Sequence, residues 1–258
     1  MAAALVLWRA LPRDAWWSSD SYLAVLRLRL TDGHVRRYFS LAQSRDSIKT
    51  MDRDFWLARW QNNQIGRTER AARSPLGDLG RAAGVRIFVP LCGKSHDMHW
   101  LRALGFTIFG AELSRLAVEQ FFAELGLAPV VAPAGRLERF ETEGMTLFVG
   151  DIFDLDQDTL CAVDAIYDRA ALVALPAPLR EHYAAHLIEL TRTAPQLLVT
   201  FEYDQTRQPG PPFSVLEKEV RAHYGATYRL DRVEVSEVQG GLKGVCPAQG
   251  SVRLINQR

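Results

Sequence analysis

From Val85 onward the chain alternates short, continuous apolar runs with longer segments whose apolar residues recur at helical spacing. Val85-Arg-Ile-Phe-Val-Pro-Leu91 reads as a buried strand closed by a turn, since β-branched and aromatic residues ending in Pro and Gly fit a strand covered on both faces. Similar runs at Phe106–Glu112, Met145–Asp151, Val163–Asp168 and Gln196–Tyr203 predict further strands. Between the first two, Ser95 is placed to cap a helix with Met98, Trp100, Leu101 and Leu104 on its apolar side, closed by Gly105. Ser114 is placed to cap a second helix with Leu116, Ala117, Phe121, Phe122 and Leu125 facing inward, closed by Gly126. A third helix is expected over Pro178–Arg192. Strand alternating with helix predicts an α/β fold built on a mainly parallel sheet with helices on both faces. In such sheets ligands bind at the carboxyl ends of the strands, which directs attention to the turns.

The first 50 residues do not share this pattern: Arg is frequent, and no period persists beyond the Leu26-Arg-Leu-Arg-Leu30 alternation. The opening apolar stretch is too short and its charge order wrong for a secretory signal. Residues 1–50 are therefore read as an upstream extension of the reading frame or a dispensable tail, and residues 51–258 as one domain. Asp52 can cap a helix through Phe55, Trp56, Arg59 and Trp60, whose aromatics share a face. A formal net charge of +1 gives no basic stripe for nucleic acid. Cys92, Cys161 and Cys246 are odd in number, widely spaced and outside any CxxC or His/Cys cluster, so no metal site is expected and a reduced, cytoplasmic setting is. No apolar run is long enough to span a bilayer. A monomer is expected.

Three carboxylates, Glu112, Asp151 and Asp168, stand at the ends of three successive strands. Glu112 lies about 20 residues after the first Gly-containing turn, where an acid can accept both hydroxyls of a nucleoside ribose. Asp151-Ile152 offers an adenine what it needs: a carboxylate or backbone group for the exocyclic amine and an aliphatic side chain for the ring face. Any one acid at a strand end is as readily a helix cap or a surface charge; three in register favour an adenosine moiety. The turn itself, Pro90-Leu-Cys-Gly-Lys-Ser95, has a single Gly. A dinucleotide pyrophosphate needs several glycines for close backbone approach, so this turn suits a ligand without phosphates, such as one ending in a methionine. Lys94 lacks the upstream spacing of a phosphate-binding loop and is read as a solvent-facing residue at the helix start.

Several stretches resemble the thiopurine S-methyltransferase family, particularly its bacterial members. They are Met51-Asp-Arg-Asp-Phe-Trp-Leu-Ala-Arg-Trp60, Pro90-Leu-Cys-Gly-Lys-Ser95, Gly110-Ala-Glu-Leu-Ser114, Ala117-Val-Glu-Gln-Phe-Phe-Ala-Glu124, Gly150-Asp-Ile-Phe-Asp-Leu155, Tyr167-Asp-Arg-Ala-Ala-Leu172 and Gly210-Pro-Pro-Phe-Ser-Val215. The resemblance implies a class I S-adenosylmethionine-dependent methyltransferase fold (Rossmann-like) with a seven-stranded sheet, whose last strands, near Thr227–Val235 and Ser251–Ile255, form an antiparallel edge. It also implies that S-adenosylmethionine, the methyl donor, contacts Trp60, Leu91, Glu112, Asp151, Ile152 and Arg169. Two segments depart from the family. Ile65-Gly66 is followed by Arg67-Thr68 where an aromatic and a His are usual, and the tail from Lys243 to Arg258 matches poorly. An Arg in place of a flat aromatic wall adds charge, which would favour an anionic acceptor or weaken binding. Gly210-Pro-Pro-Phe213 is read as a stiff turn presenting Phe213 to the acceptor.

The expected reaction is methyl transfer to a small thiopurine-like thiol, or to a selenium or tellurium compound. It is an in-line displacement that depends on positioning, so no single catalytic residue is assigned. Two other readings stand beside it: a nicotinamide-dependent oxidoreductase, which the missing glycines oppose, and a nucleoside-binding protein whose altered segment at Arg67 has abolished turnover.

Overall fold

The structure, a computed structural model, describes residues 57, 58 and 84–258. The expectations for residues 1–50, for Trp60 and for Arg67 lie outside the described residues. Of the helix expected from Asp52, Leu57 and Ala58 are described, and both are helical.

The strands and helices follow in the order β1 (Arg86–Val89), α1 (His96–Ala103), β2 (Thr107–Glu112), α2 (Arg115–Glu124), β3 (Val130–Ala134), β4 (Leu137–Thr142), β5 (Met145–Val149), α3 (Gln157–Leu160), β6 (Ala165–Asp168), α4 (Ala177–Leu190), β7 (Gln196–Tyr203), α5 (Glu217–Tyr224), β8 (Tyr228–Glu237) and β9 (Ala248–Gln257). Short 3-10 turns at Ile152–Asp154 and Leu172–Ala174 follow β5 and β6. All the strands join one sheet in the order β3-β4-β5-β2-β1-β6-β7-β9-β8. The strands expected from the apolar runs form with their ends trimmed by up to two residues, and β7 keeps both predicted limits.

One expectation about the sheet needs correction. Among the described residues the sheet has nine strands, not seven: the run β5-β2-β1-β6-β7-β9-β8 supplies the expected seven, and the β3–β4 hairpin extends it beyond β5. The parallel centre and the antiparallel edge are as expected, for β5, β2, β1, β6 and β7 are mutually parallel and the pairings β7–β9 and β8–β9 are antiparallel; the antiparallel pairings β3–β4 and β4–β5 come with the added hairpin and make the sheet mixed. The hairpin escapes an apolar-run reading because it is solvated: Val130 and Val131 are exposed, and Pro133 lies within β3. Proline has no N–H to donate, so a strand containing it is stable only at a sheet edge, which is where β3 sits.

The parallel centre is buried on both faces. In β1, Ile87 and Phe88 are fully covered; in β5, Met145, Leu147 and Phe148 are buried within one continuous core that includes Met98 and Leu101 of α1 and Phe121 and Phe122 of α2. Along α2 the inward residues are Ala117, Val118, Phe121 and Phe122, while Leu116 is exposed. The expected inclusion of Leu116 fails because it sits beside the buried stripe at positions 117, 118, 121 and 122, one step round the helix.

The chain steps from β1 to β2 and on to β5 on one side of the sheet, then crosses back to β6 on the other side of β1. The strand order therefore reverses between β1 and β6. That is where the carboxyl ends of neighbouring parallel strands diverge and leave a crevice.

Candidate functional site

The crevice is built from three turns. The first follows β1 and contains Leu91 at φ 44° and Gly93 at φ 53°. Left-handed backbone costs Gly nothing, whereas for Leu91 it carries strain that the surrounding packing must hold. Cys92 fills the inside of the turn: it is 5% exposed, and its N–H donates to Ala111 O at 2.9 Å. Burial, with the negative charge of Glu112 nearby, pushes the Cys92 thiol well above its ordinary pKa, so it stays protonated at neutral pH. Gly110 on β2 lets this turn approach. A Cβ there would stand 2.6 Å from Leu147 Cδ2 and 2.9 Å from Cys92 Sγ.

Ser95 caps α1 as expected, with its Oγ accepting from Asp97 N–H. Lys94, in contrast, is not solvent-facing. It is 8% exposed, and its Nζ donates to Gln120 Oε1 at 3.0 Å and Glu124 Oε1 at 3.1 Å on α2. A turn held tight against β2 brings Lys94 against α2, and its long stem lets the ammonium reach Gln120 and Glu124, one helical turn apart on the same face.

Glu112 ends β2 and is 6% exposed. Its Oε2 accepts from Gly93 N–H at 2.9 Å and its Oε1 from Ser114 N–H at 2.8 Å. The carboxylate thus ties the β1 turn to the N-terminus of α2, where Ser114 caps the helix through Ala117 N–H. Backbone N–H groups at a helix start favour an anion, so the position suits a carboxylate on electrostatic grounds too.

After β5, Asp151 Oδ1 accepts from Phe153 N–H at 3.0 Å, so the acid expected at the adenine also caps the 3-10 turn that carries Ile152. Ile152 is buried, and its carbonyl accepts from His186 Nε2 of α4 at 2.8 Å. That hydrogen bond fixes the peptide next to the expected adenine contact.

The end of β6 is arranged differently. Asp168 is fully buried; its Oδ1 accepts from Ala171 and Leu172 N–H, both at 3.1 Å, and its Oδ2 accepts from Tyr183 O–H at 2.8 Å. Burial pushes its pKa up to about 6, against the lowering effect of those donors. These partners lie inside the protein, so the structure separates Asp168 from the other two strand-end acids. Arg169, 8% exposed, donates from Nη1 to Asp97 Oδ2 at 2.6 Å, and Tyr167 O–H donates to the same oxygen at 3.1 Å. Asp97 of α1 and Tyr183 of α4 were not singled out from the sequence. Asp97 is an acid in a helix first turn, an ordinary feature that only its partners distinguish.

On the other side of β6, Phe213 N–H donates to Val173 O, and the Arg180 guanidinium lies 5.9 Å from the Phe213 ring centroid. Arg180 is itself held by Glu219 of α5 at 2.6 Å. Tyr203, at the end of β7, donates to Pro212 O, and partial burial pushes its phenol up to about 12. The proline turn is thereby anchored at the carboxyl end of β7 with an aromatic side chain on it. Among the described residues, no helix is long and apolar enough to cross a membrane.

Comparison with known proteins agrees with this architecture. The chain superimposes on an S-adenosylmethionine-dependent methyltransferase from Anabaena variabilis with a TM-score of 0.53 at 10% identity, covering 80% of this chain and 95% of that one. It superimposes equally, at 0.53 and 11% identity, on Burkholderia thailandensis 1,6-didemethyltoxoflavin-N1-methyltransferase, covering 84% and 93%. Likeness at that identity speaks for the fold alone. The sequence carries more. Residues 51–246 match the family described as thiopurine S-methyltransferase. A thiopurine S-methyltransferase from Xanthobacter autotrophicus is 51% identical over 212 residues, covering 80% of this chain and all of the relative, and one from Gluconobacter oxydans is 48% identical over 202 residues, covering 77% and 92%. Identity at that level over most of the chain decides against the nicotinamide-dependent reading. The chain belongs to the thiopurine S-methyltransferase family and is a methyltransferase that takes its methyl group from S-adenosylmethionine.

Proposed function

We propose that the crevice between β1 and β6 seats S-adenosylmethionine with its ribose on Glu112, its adenine at Asp151-Ile152 and its methionine end along the Leu91–Lys94 turn, with Trp60 and Arg169 completing the contacts. The observation that carries this reading is the Glu112 carboxylate, fixed at a strand end by Gly93 and Ser114 N–H groups. The residues fit the donor. A carboxylate oxygen has two lone pairs, so each can accept a sugar hydroxyl beside the N–H it already holds. One glycine in the turn suits a ligand without a pyrophosphate.

The bound donor supplies an electrophilic methyl group on a sulfonium. The protein's part is to orient the two reactants and keep the acceptor in its reactive form. The acceptor in this reading is a small heterocyclic thiol, or a selenol, that ionises near neutral pH and so needs no strong base. Arg169 is the cation placed to hold that anion at the end of β6, and the Phe213 turn at the end of β7 offers a flat wall for a ring. The protein acts in the cytoplasm as a monomer, and residues 1–50 are dispensable for the reaction. Incubation of the full chain with S-adenosylmethionine labelled on its methyl group and mercaptopurine tests the assignment, with equilibrium dialysis against NAD as control. Label transferred to sulfur, with binding of the methyl donor and none of NAD, is expected; a protein that binds the donor but transfers nothing favours the nucleoside-binding reading instead.

A further inference from the structure

Arg169, the residue after β6, is held from another element. Its guanidinium is 8% exposed and its nearest carboxylate in sequence, Asp168, is turned inward onto Ala171, Leu172 and Tyr183. The acid that meets it comes instead from α1, 72 residues earlier: Asp97 Oδ2 stands 2.6 Å from Nη1. Asp97 is 3% exposed, and its own position is over-determined. Its N–H donates to the Ser95 cap at 3.2 Å, and the Tyr167 hydroxyl donates to the same Oδ2 at 3.1 Å. Tyr167 is buried in β6 two residues before Arg169. The Ser95 cap therefore fixes the Asp97 backbone, and a rigid aromatic holds the Oδ2 that grips one nitrogen of the guanidinium. A guanidinium is planar, so fixing Nη1 limits the directions in which its remaining donors can point.

This contact bridges the two strand ends that open the crevice, since α1 begins just past the β1 turn and Arg169 follows β6. From it we infer that Asp97 is a positioning residue for the reaction: it sets the direction in which Arg169 addresses the acceptor, and Tyr167 sets Asp97. This rests on the reading of Arg169 as the group that holds the anionic acceptor. Asp97 touches neither reactant. Because Arg169 also completes the donor contacts in that reading, the effect of Asp97 reaches donor affinity as well as acceptor use, and both pass through Arg169.

A double-mutant cycle in the full-length protein separates positioning from packing, because residues that act through one another have non-additive effects. The variants are Asp97→Asn, Arg169→Lys and the pair, assayed for kcat/KM with mercaptopurine and for S-adenosylmethionine affinity by calorimetry. Asp97→Asn is expected to lower kcat/KM about tenfold, to weaken donor affinity no more than Arg169→Lys does, and to cost less than about twofold more in either quantity once Arg169 is already Lys. Asp97→Glu keeps the charge on a longer arm and is expected to recover part of the loss. If Asp97→Asn does not fold, the same cycle is run with Asp97→Glu. Losses that multiply in the double variant, or an Asp97 variant with undiminished kcat/KM, overturn the inference while leaving the Arg169 assignment standing. An Arg169→Lys variant that is itself unimpaired removes the assignment beneath it, which is a separate result.

Discussion

The ends of β2 and β6 carry the same signature, an acid closing a buried parallel strand beside a helical turn, and they do opposite things with it. Glu112 reaches across to the neighbouring turn, where Gly93 N–H meets one oxygen and Ser114 N–H the other, so its carboxylate stands between two segments at the mouth of the crevice. Asp168, one methylene shorter, folds back onto Ala171 and Leu172 N–H and is covered by Tyr183. One acid joins two strand ends; the other braces the chain behind its own. An acid at a strand end is thus defined by where its partners lie, and side-chain length decides which partners it can reach. The residue after Asp168 shows the same point, for Arg169 takes its carboxylate from α1 and not from its neighbour.

The sharpest way to break this contrast is to remove each carboxylate in turn. Glu112→Ala should weaken S-adenosylmethionine binding by a hundredfold or more, on the order expected for a lost charge-assisted pair of hydrogen bonds, as measured by calorimetry. Asp168→Asn should instead change stability, and with a definite pH dependence. The folded pKa, about 6, lies above the ordinary aspartate value of 3.8, so the folded protein binds the extra proton between those values. The contribution of Asp168 to stability is therefore fully present below about pH 4 and is lost as pH rises through about 6, a change of up to about 3 kcal/mol. Denaturant unfolding of both proteins at pH 4.5 and pH 7.5 should show the wild type losing ground to the Asn variant at the higher pH. A constant difference would contradict the buried, charge-penalised state of Asp168.

Smaller changes sharpen the comparison. Gly110→Ala forces a Cβ against Leu147 and Cys92 and should cost about 1–3 kcal/mol in denaturant unfolding, with donor affinity falling as the β1 turn is pushed from Glu112. Tyr183→Phe removes one donor from Asp168 while the two N–H groups remain, so about 1 kcal/mol of stability should go, and donor affinity should stay within about twofold. A large loss of donor affinity in Tyr183→Phe would mean that the two strand ends are not independent.

Much of the fold was legible because it rests on local, repeating signals. The apolar runs at Arg86–Val89 and Met145–Val149 are buried on both faces, and Ser95 and Ser114 cap the helices that the spacing predicts. The β3–β4 hairpin was not legible, because its strands are half solvated and one contains Pro133. Lys94 was misread because its partners, Gln120 and Glu124, lie a whole strand and helix further on. Three acids could be located at strand ends from sequence, but their orientation could not, since Tyr183 and Asp97 reach them or their neighbours only through the tertiary packing of α4 and α1.

The account turns on the sugar of the methyl donor meeting Glu112, and a cycle between protein and ligand measures that contact itself. S-adenosylhomocysteine and its 2′-deoxy analogue are titrated into wild-type protein and into Glu112→Gln by calorimetry. The predicted result is that deleting the hydroxyl costs the wild type about tenfold in affinity and costs the Gln variant clearly less, since the carboxylate it would have met is already gone. Equal losses in both proteins would place the ribose elsewhere and contradict the assignment.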